Sequence, residues 1–311
     1  MPQVKIFNKS KLTVNNKFAL TNALTIYNGD CRNLIKDIPD QSLQLIITSP
    51  PYNIGKEYEH TIELDEYFDF QREIIGLCVN KLSPKGSICW QVGNYINKGK
   101  NGKNIIPLDT FLFPIFQEYN LFLRNRIVWH YRHGLHYENR FSGRYETINW
   151  YTKTDNYVFN LDSIRIPQLY PGKRNYKGSK VGAYSSNPLG KNPGDVWDIP
   201  NVKSSHIEKT AHPCQFPIAV VERLIKCLSN EGDIVFDPFL GSGTTTAAAV
   251  LNGRRAVGAE INEKYYNIAL ERTKKAYYEE LKYRIDKPVE KPSPNDKVSI
   301  KPPDKNTEEL F

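Results

Sequence analysis

"DIVFDPFLGSGTTTAAAV", residues 233–250, decides the fold. An apolar run, Ile234-Val235-Phe236, stops at Asp237-Pro238-Phe239, and Gly241-Ser242-Gly243 lead into a small-residue stretch of helical length. Glycines between a strand and a helix let the backbone approach a ligand closely, and the helix N-terminus offers unpaired N–H groups. The next apolar run, "RRAVGAE" (254–260), ends on Glu260, an acid that can accept hydrogen bonds from ribose hydroxyls. Strand, glycine loop, helix and acid-ended strand read together as a nucleoside-binding unit. No lysine follows the glycines, as a phosphate-cradling Walker loop requires, and Thr246 stands where a dinucleotide loop has its third glycine.

The same alternation extends upstream. "LTIYNGD" (24–30) reads as a strand and "LQLIITS" (43–49) as a fully buried one, with a short helix or turn between them. Residues 66–86 have apolar positions at helical spacing, and "SICWQVG" (87–93) is the next strand. A helix over 106–120 and a strand over 122–131 follow, and "TINWYTKTDNYVFN" (147–160) reads as a β-hairpin turning at Thr154-Asp155-Asn156. Regularity is lost over 161–211 and returns with helices at 217–229, 244–253 and 262–283. Strands alternating with helices predict an α/β fold with a doubly wound, mostly parallel sheet. The predicted divisions are an N-terminal extension (1–24), one half of the domain (25–160), an insert (161–211), the other half (212–284) and a proline- and charge-rich disordered tail (285–311).

The buried strand at 43–49 ends abnormally. Thr48-Ser49 is followed at once by Pro50-Pro51-Tyr52-Asn53. Two prolines cannot continue a sheet ladder, but they make a stiff corner at a strand's carboxyl end, where open α/β sheets bind ligands.

With this corner the glycine loop becomes specific. Residues 237–245 resemble the S-adenosylmethionine loop of bacterial DNA amino-methyltransferases, and Ser49-Pro50-Pro51-Tyr52 resembles their catalytic tetrapeptide. Tetrapeptide early and loop late is the order of the permuted β group of N4-cytosine and N6-adenine enzymes of type II restriction–modification systems. The resemblance covers roughly residues 24–283. It implies a Rossmann-like methyltransferase domain in which the insert is a target-recognition region. It further implies S-adenosyl-L-methionine held by Asp30, Thr48, Asp237, Pro238, Phe239, Gly241, Ser242, Gly243, Thr244 and Glu260, with His212 of "HPCQFP" (212–217) near the methionine end. Phe216 stands where family members commonly carry a lysine, so that contact does not transfer.

The tetrapeptide suits the chemistry implied. An exocyclic amine is a poor nucleophile because its lone pair is delocalised into the ring. Hydrogen bonds from its protons to the Ser49 hydroxyl and the Pro50 carbonyl favour a pyramidal nitrogen, which is catalysis by positioning and electrostatics. Pro51 stiffens the corner, Tyr52 offers a face on which a flipped base stacks, and Asn53 is either a polar contact or a turn residue. Serine at the head leans toward N4-cytosine, with N6-adenine the alternative. An RNA or protein amide methyltransferase is a remoter reading, since the protein version usually has asparagine before the prolines. Pro213-Cys214-Gln215 spells the nucleophile of cytosine-C5 enzymes, but it precedes the glycine loop and no Glu-Asn-Val segment occurs, so ring-carbon chemistry is not expected.

The net charge of +8 favours a polyanionic partner, here double-stranded DNA. Arg132, Arg140 and Arg144, interleaved with aromatics, and Lys173, Arg174 and Lys177 in a glycine-rich stretch are the candidate phosphate contacts. The histidines of the first stretch lack an acid or cysteine cluster, so no metal is expected. Five cysteines without C-x-x-C spacing argue against zinc and disulfides and for a reducing cytoplasm. No stretch is apolar enough to span a bilayer, and a monomer or homodimer, with a cognate restriction endonuclease as partner, is the expected assembly.

Overall fold

The computed structural model describes residues 12–53, 62–99, 102–134, 136–170, 173–185 and 187–285. The expected disordered tail lies outside the described residues except at its first position.

In chain order the elements are β1 (Leu24–Asn28), α1 (Cys31–Asp37), β2 (Leu43–Thr48), α2 (Leu64–Lys81), β3 (Leu82–Val92), β4 (Asn94–Gly99), β5 (Gly102–Pro107), α3 (Leu108–Glu118), β6 (Phe122–His130) and β7 (Tyr145–Thr152). After a 3-10 turn at Leu161–Ile164 come β8 (Val196–Asp198), α4 (Ile218–Leu228), β9 (Ile234–Asp237), α5 (Thr244–Leu251), β10 (Arg255–Glu260) and α6 (Glu263–Tyr277). One eight-stranded sheet runs β1-β10-β9-β2-β3-β7-β6-β8, and β4 and β5 form a separate hairpin. All neighbours in the large sheet are parallel except those of β7, which is antiparallel to β3 and β6.

β2 shows why the sheet is covered on both sides. Successive strand residues face opposite ways. Leu45 and Ile47 enter a core built with α4, α5 and α6, while Ile46, and Leu43 on the far side of a register shift in the strand, enter a core built with α1, α2 and α3. All four are at most 2% exposed. A continuous apolar run is what a parallel strand sandwiched between helices needs.

The winding reverses between β9 and β2. From β9 the chain crosses through α5 to β10 on one side, and from β2 it crosses through α2 to β3 on the other. The carboxyl ends of these two strands therefore open onto a crevice at the topological switch point.

Three details depart from the sequence reading. The helix expected to reach residue 86 ends at Lys81, and β3 takes up the chain at Leu82. No hairpin forms at 154–156: both edges of β7 are already occupied, with Cys89 opposite Trp150 and Asn125 opposite Trp150 on the other side. Arg124 caps the exit instead, bonding Thr152 Oγ1 at 2.7 Å and pairing with Asp155 at 2.7 Å. Within the irregular stretch 161–211, Val196–Asp198 adds an edge strand parallel to β6, too short to carry a periodic signal.

Candidate active site

A cleft of about 460 Å³ opens at the carboxyl ends of β2 and β9. It is lined by Ser49, Pro50, Pro51 and Tyr52 after β2, by Gly29 and Asp30 after β1, by Pro238, Phe239, Gly241, Ser242 and Thr244 after β9, and by Glu260 at the end of β10. His212, Cys214 and Phe216 close another side. Thr48, Asp237 and Gly243 lie beneath this lining. Thr48 Oγ1 donates to Asp237 Oδ1 at 2.6 Å across the switch point, and Thr245 Oγ1 donates to Asp237 Oδ2 at 2.7 Å. Phe239 N–H adds a third bond to Oδ1 at 3.0 Å. Burial nevertheless pushes the Asp237 carboxyl up to about 6. This carboxylate pins the tetrapeptide strand to the root of the glycine loop.

The loop itself is held from two directions. Gly243, the N-cap of α5, has φ 78°, and a side chain there would meet the backbone of Ala269 in α6. Arg272 of α6 reaches beneath the loop, its Nη1 donating to Ser242 O at 2.7 Å and to Thr244 Oγ1 at 3.0 Å. Burial drops the Arg272 guanidinium to about 10. Glu260 accepts from Gly241 N–H and from Asn262 N–H, both at 2.8 Å. Those bonds fix the carboxylate while each oxygen keeps a lone pair for a ligand. Burial raises the Glu260 pKa, and backbone bonds from Asn262, Gly241 and Ile261 oppose that rise.

His212 packs edge-on against Tyr265 with ring centroids 4.5 Å apart, and its Nδ1 accepts from Cys214 N–H at 3.3 Å. Burial drops its pKa to about 4, so the ring facing the cleft is neutral at pH 7. Asp30 caps α1 and forms a 2.5 Å ion pair with Arg32, whose guanidinium holds the carboxyl below its ordinary range. Cys214 is exposed on the cleft wall.

At the tetrapeptide end, Ser49 Oγ donates to Tyr52 Oη at 2.9 Å, and Tyr52 Oη donates to Glu146 Oε2 at 3.0 Å. Gln91 Nε2 donates to the same Glu146 oxygen at 2.6 Å. Gln91 and Glu146 are cleft residues that sequence reasoning missed, as are Trp129, Tyr131 and Tyr265. A lone amide inside the apolar strand "SICWQVG" is the signal that could have found Gln91. Asn53 is the turn residue of its two readings: it is buried at φ 60°, and its amide exchanges bonds of 2.8 and 2.7 Å with the backbone of Ile62.

None of the basic candidates is among the residues that line the cleft. The 132–144 segment joins β6 to β7, which reach the cleft through Trp129 and Glu146, with Tyr131 just beyond β6. Arg132 pairs with Asp198 at 2.8 Å, Arg140 sits 3.5 Å over the Tyr137 ring, and Arg144 Nη1 bonds Gly143 O. In the insert, Arg174 lies over Tyr184, Lys177 over Tyr176, and Lys173 is exposed. Arg124 and Arg126 lie within β6, the latter paired with Asp109. Among the described residues, no cluster could hold a metal ion and no helix is long and apolar enough to cross a membrane.

Residues 43–271 match the family model described as DNA methylase, covering N6 and N4 methyltransferases. The type II methyltransferase M.BglII of Bacillus subtilis is 51% identical over 78% of this chain and 67% of its own length. DNA adenine methyltransferase YhdJ of Escherichia coli K12 is 36% identical over 80% of this chain and 82% of its own. Among solved structures, the cytosine-N4-specific PvuII DNA methyltransferase superposes with a TM-score of 0.63 at 22% identity, over 82% of this chain and 92% of that one. A DNA modification methylase from Thermus thermophilus, complexed with S-adenosyl-L-methionine, gives 0.59 at 24% identity over 81% and 93%. The chain belongs to the DNA methylase family of N6 and N4 methyltransferases.

Proposed function

We propose that this DNA methyltransferase methylates the exocyclic amino group of a flipped base, N4 of cytosine in preference to N6 of adenine, as the modification enzyme of a type II restriction–modification system. The observation that carries this reading is the 2.6 Å Thr48–Asp237 bond, which locks the Ser49-Pro50-Pro51-Tyr52 corner beside the glycine loop in one cleft. The methyl donor is S-adenosyl-L-methionine, and its sulfonium supplies an electrophilic methyl group when bound. The lining fits it: the fixed Glu260 carboxylate suits a ribose diol, and Phe239 and Tyr265 offer apolar faces. The neutral His212 imidazole places no positive charge against a sulfonium.

In this scheme Ser49 presents its hydroxyl lone pairs to the target amine because its own proton is already directed at Tyr52. The Pro50 carbonyl accepts a hydrogen bond from the second amine N–H, and the stiff corner sets the angle of approach. Lys173, Arg174, Lys177, Arg140 and Arg144 contact DNA phosphates, and Arg132 joins them by exchanging Asp198 for phosphate. Serine at the head of the tetrapeptide supports cytosine, while the adenine-specific relative keeps N6-adenine as the second reading. A restriction endonuclease of the same specificity is the expected partner of such an enzyme.

The test is to incubate the protein with methyl-labelled cofactor and unmethylated DNA, digest to nucleosides and identify the labelled one by mass spectrometry. N4-methylcytosine is expected. N6-methyladenine would select the second reading, and 5-methylcytosine would refute amine chemistry.

A further inference from the structure

The cleft is lined by three carboxylates, and only one has no backbone or cationic anchor. Asp30 is paired with Arg32, and Glu260 is held by backbone N–H groups. Glu146, near the start of β7, is bonded to the Tyr52 hydroxyl and the Gln91 amide, and among the described residues it forms no salt bridge. Placing a carboxylate in a largely desolvated site without a cation is unfavourable, so its position asks for a use.

We propose that Glu146 accepts, through Tyr52 and Ser49, the proton that the target amine loses on methylation. The proposal rests on the amine-methylation reading above. The amine lone pair forms the new N–C bond while the C–S bond breaks and its electron pair stays on sulfur as a thioether, so that positive charge develops on the nitrogen. In the same step that nitrogen gives a proton to Ser49 Oγ, the Ser49 hydroxyl proton moves to Tyr52 Oη and the Tyr52 proton moves to Glu146 Oε2, so the relay sets the rate of methyl transfer. Both hydroxyls are regenerated, the methylated base is neutral and Glu146 is left protonated, to release its proton to solvent before the next turnover.

Three features support the relay. Its links measure 2.9 and 3.0 Å, each already donating in the direction the proton must travel. Gln91 can only donate to the terminal oxygen, and at 2.6 Å it fixes that oxygen on Tyr52. Desolvation also raises the Glu146 pKa, making it a better acceptor than an exposed carboxylate. Tyr131 is the other titratable group acting on Glu146, and Cys214 acts on Tyr52. Burial raises both tyrosines, so neither ionises near neutrality.

Single-turnover methyl transfer from labelled cofactor to unmethylated DNA, followed over roughly pH 5 to 9, tests the relay. Wild type should lose rate toward acid as Glu146 protonates. Glu146→Gln should lower the plateau rate by about 10²-fold, remove the acid limb and leave cofactor affinity unchanged, with Glu146→Asp restoring part of both rate and limb. Tyr52→Phe, which keeps the ring and breaks the chain, should lose rate similarly and decides the matter if Glu146→Gln does not fold. A Glu146→Gln rate within roughly threefold of wild type, an acid limb that survives it, or a fully active Tyr52→Phe would overturn the relay. Nucleoside identification in the wild-type reaction separates this from failure of the amine reading, which would show as label on a ring carbon or none on DNA.

Discussion

Alanine at Gly243 and at Gly241 should damage the protein in different ways, although the two glycines flank a single serine. At Gly243, with φ 78°, a Cβ would lie 2.6 Å from the Ala269 Cα, 2.8 Å from its Cβ and 3.0 Å from its carbonyl oxygen. Those atoms belong to a fully buried residue of α6, which can move only if the helix moves. The left-handed backbone costs about 1–2 kcal/mol for a residue with a Cβ, and overpacking adds about 1–3 kcal/mol. Gly243→Ala should therefore lose ~2–5 kcal/mol, a large fraction of the ~5–15 kcal/mol typical of a domain. At Gly241, with φ 55°, the nearest obstacle is His212 Nε2 at 3.1 Å, the edge of a side chain that can rotate. Here the stability cost should be only the backbone's ~1–2 kcal/mol. The displaced imidazole would press into the cleft, and the Gly241 N–H bond that fixes Glu260 would weaken.

Denaturant titration gives the stabilities, provided the slopes match wild type, and isothermal titration with S-adenosyl-L-methionine gives the affinities. Gly241→Ala should keep most of its stability and bind the cofactor about tenfold more weakly, the equivalent of one good hydrogen bond. A Gly243→Ala protein within roughly 0.5 kcal/mol of wild type would refute the packing account of the loop. Unchanged affinity in Gly241→Ala would equally remove His212 and Glu260 from the ligand's surroundings.

Ser49→Ala should slow single-turnover methylation by on the order of 10²-fold while leaving cofactor affinity near wild type, and a weakened affinity with normal turnover would reverse its assignment. Glu260→Ala should weaken cofactor binding by roughly tenfold or more, since a charge-assisted bond carries ~1.5–3 kcal/mol; titration calorimetry with an unchanged dissociation constant would exclude it from the site. Asp237→Asn tests the buried carboxylate by linkage. Its pKa rises on folding from 3.8 to about 6, so its contribution is complete below the unfolded value and is lost as pH climbs through the folded one. The stability of wild type relative to Asp237→Asn should fall by up to ~3 kcal/mol between about pH 4 and pH 7, and a difference that does not change with pH would show that Asp237 titrates normally.

Much of this was legible because it is local. The alternation of Leu45 and Ile47 against Ile46 gives a strand covered on both faces, and Gly241 to Thr244 between apolar runs gives a ligand loop. Physics confined to one element survives in one stretch of sequence. The short edge strand Val196–Asp198 does not, because so brief a segment cannot display a period and its existence depends on β6 offering an open edge. Glu146 is the more instructive case. A hairpin turning at residues 154–156 would have made 147–152 a partner of the chain just beyond it, with Glu146 at the open end of a local ribbon. Instead β7 inserts between β3 and β6, and the antiparallel register sets Thr147 opposite Val92 and Ile148 opposite Gln91. That register carries Glu146 past the end of β3, within reach of the Gln91 amide and of the Tyr52 hydroxyl, 94 positions earlier in the chain. One wrong local pairing therefore hid both the sheet's antiparallel insertion and the carboxylate it delivers. Tyr52, read from sequence as a flat face, acquires a working hydroxyl only once its distant partner is in place.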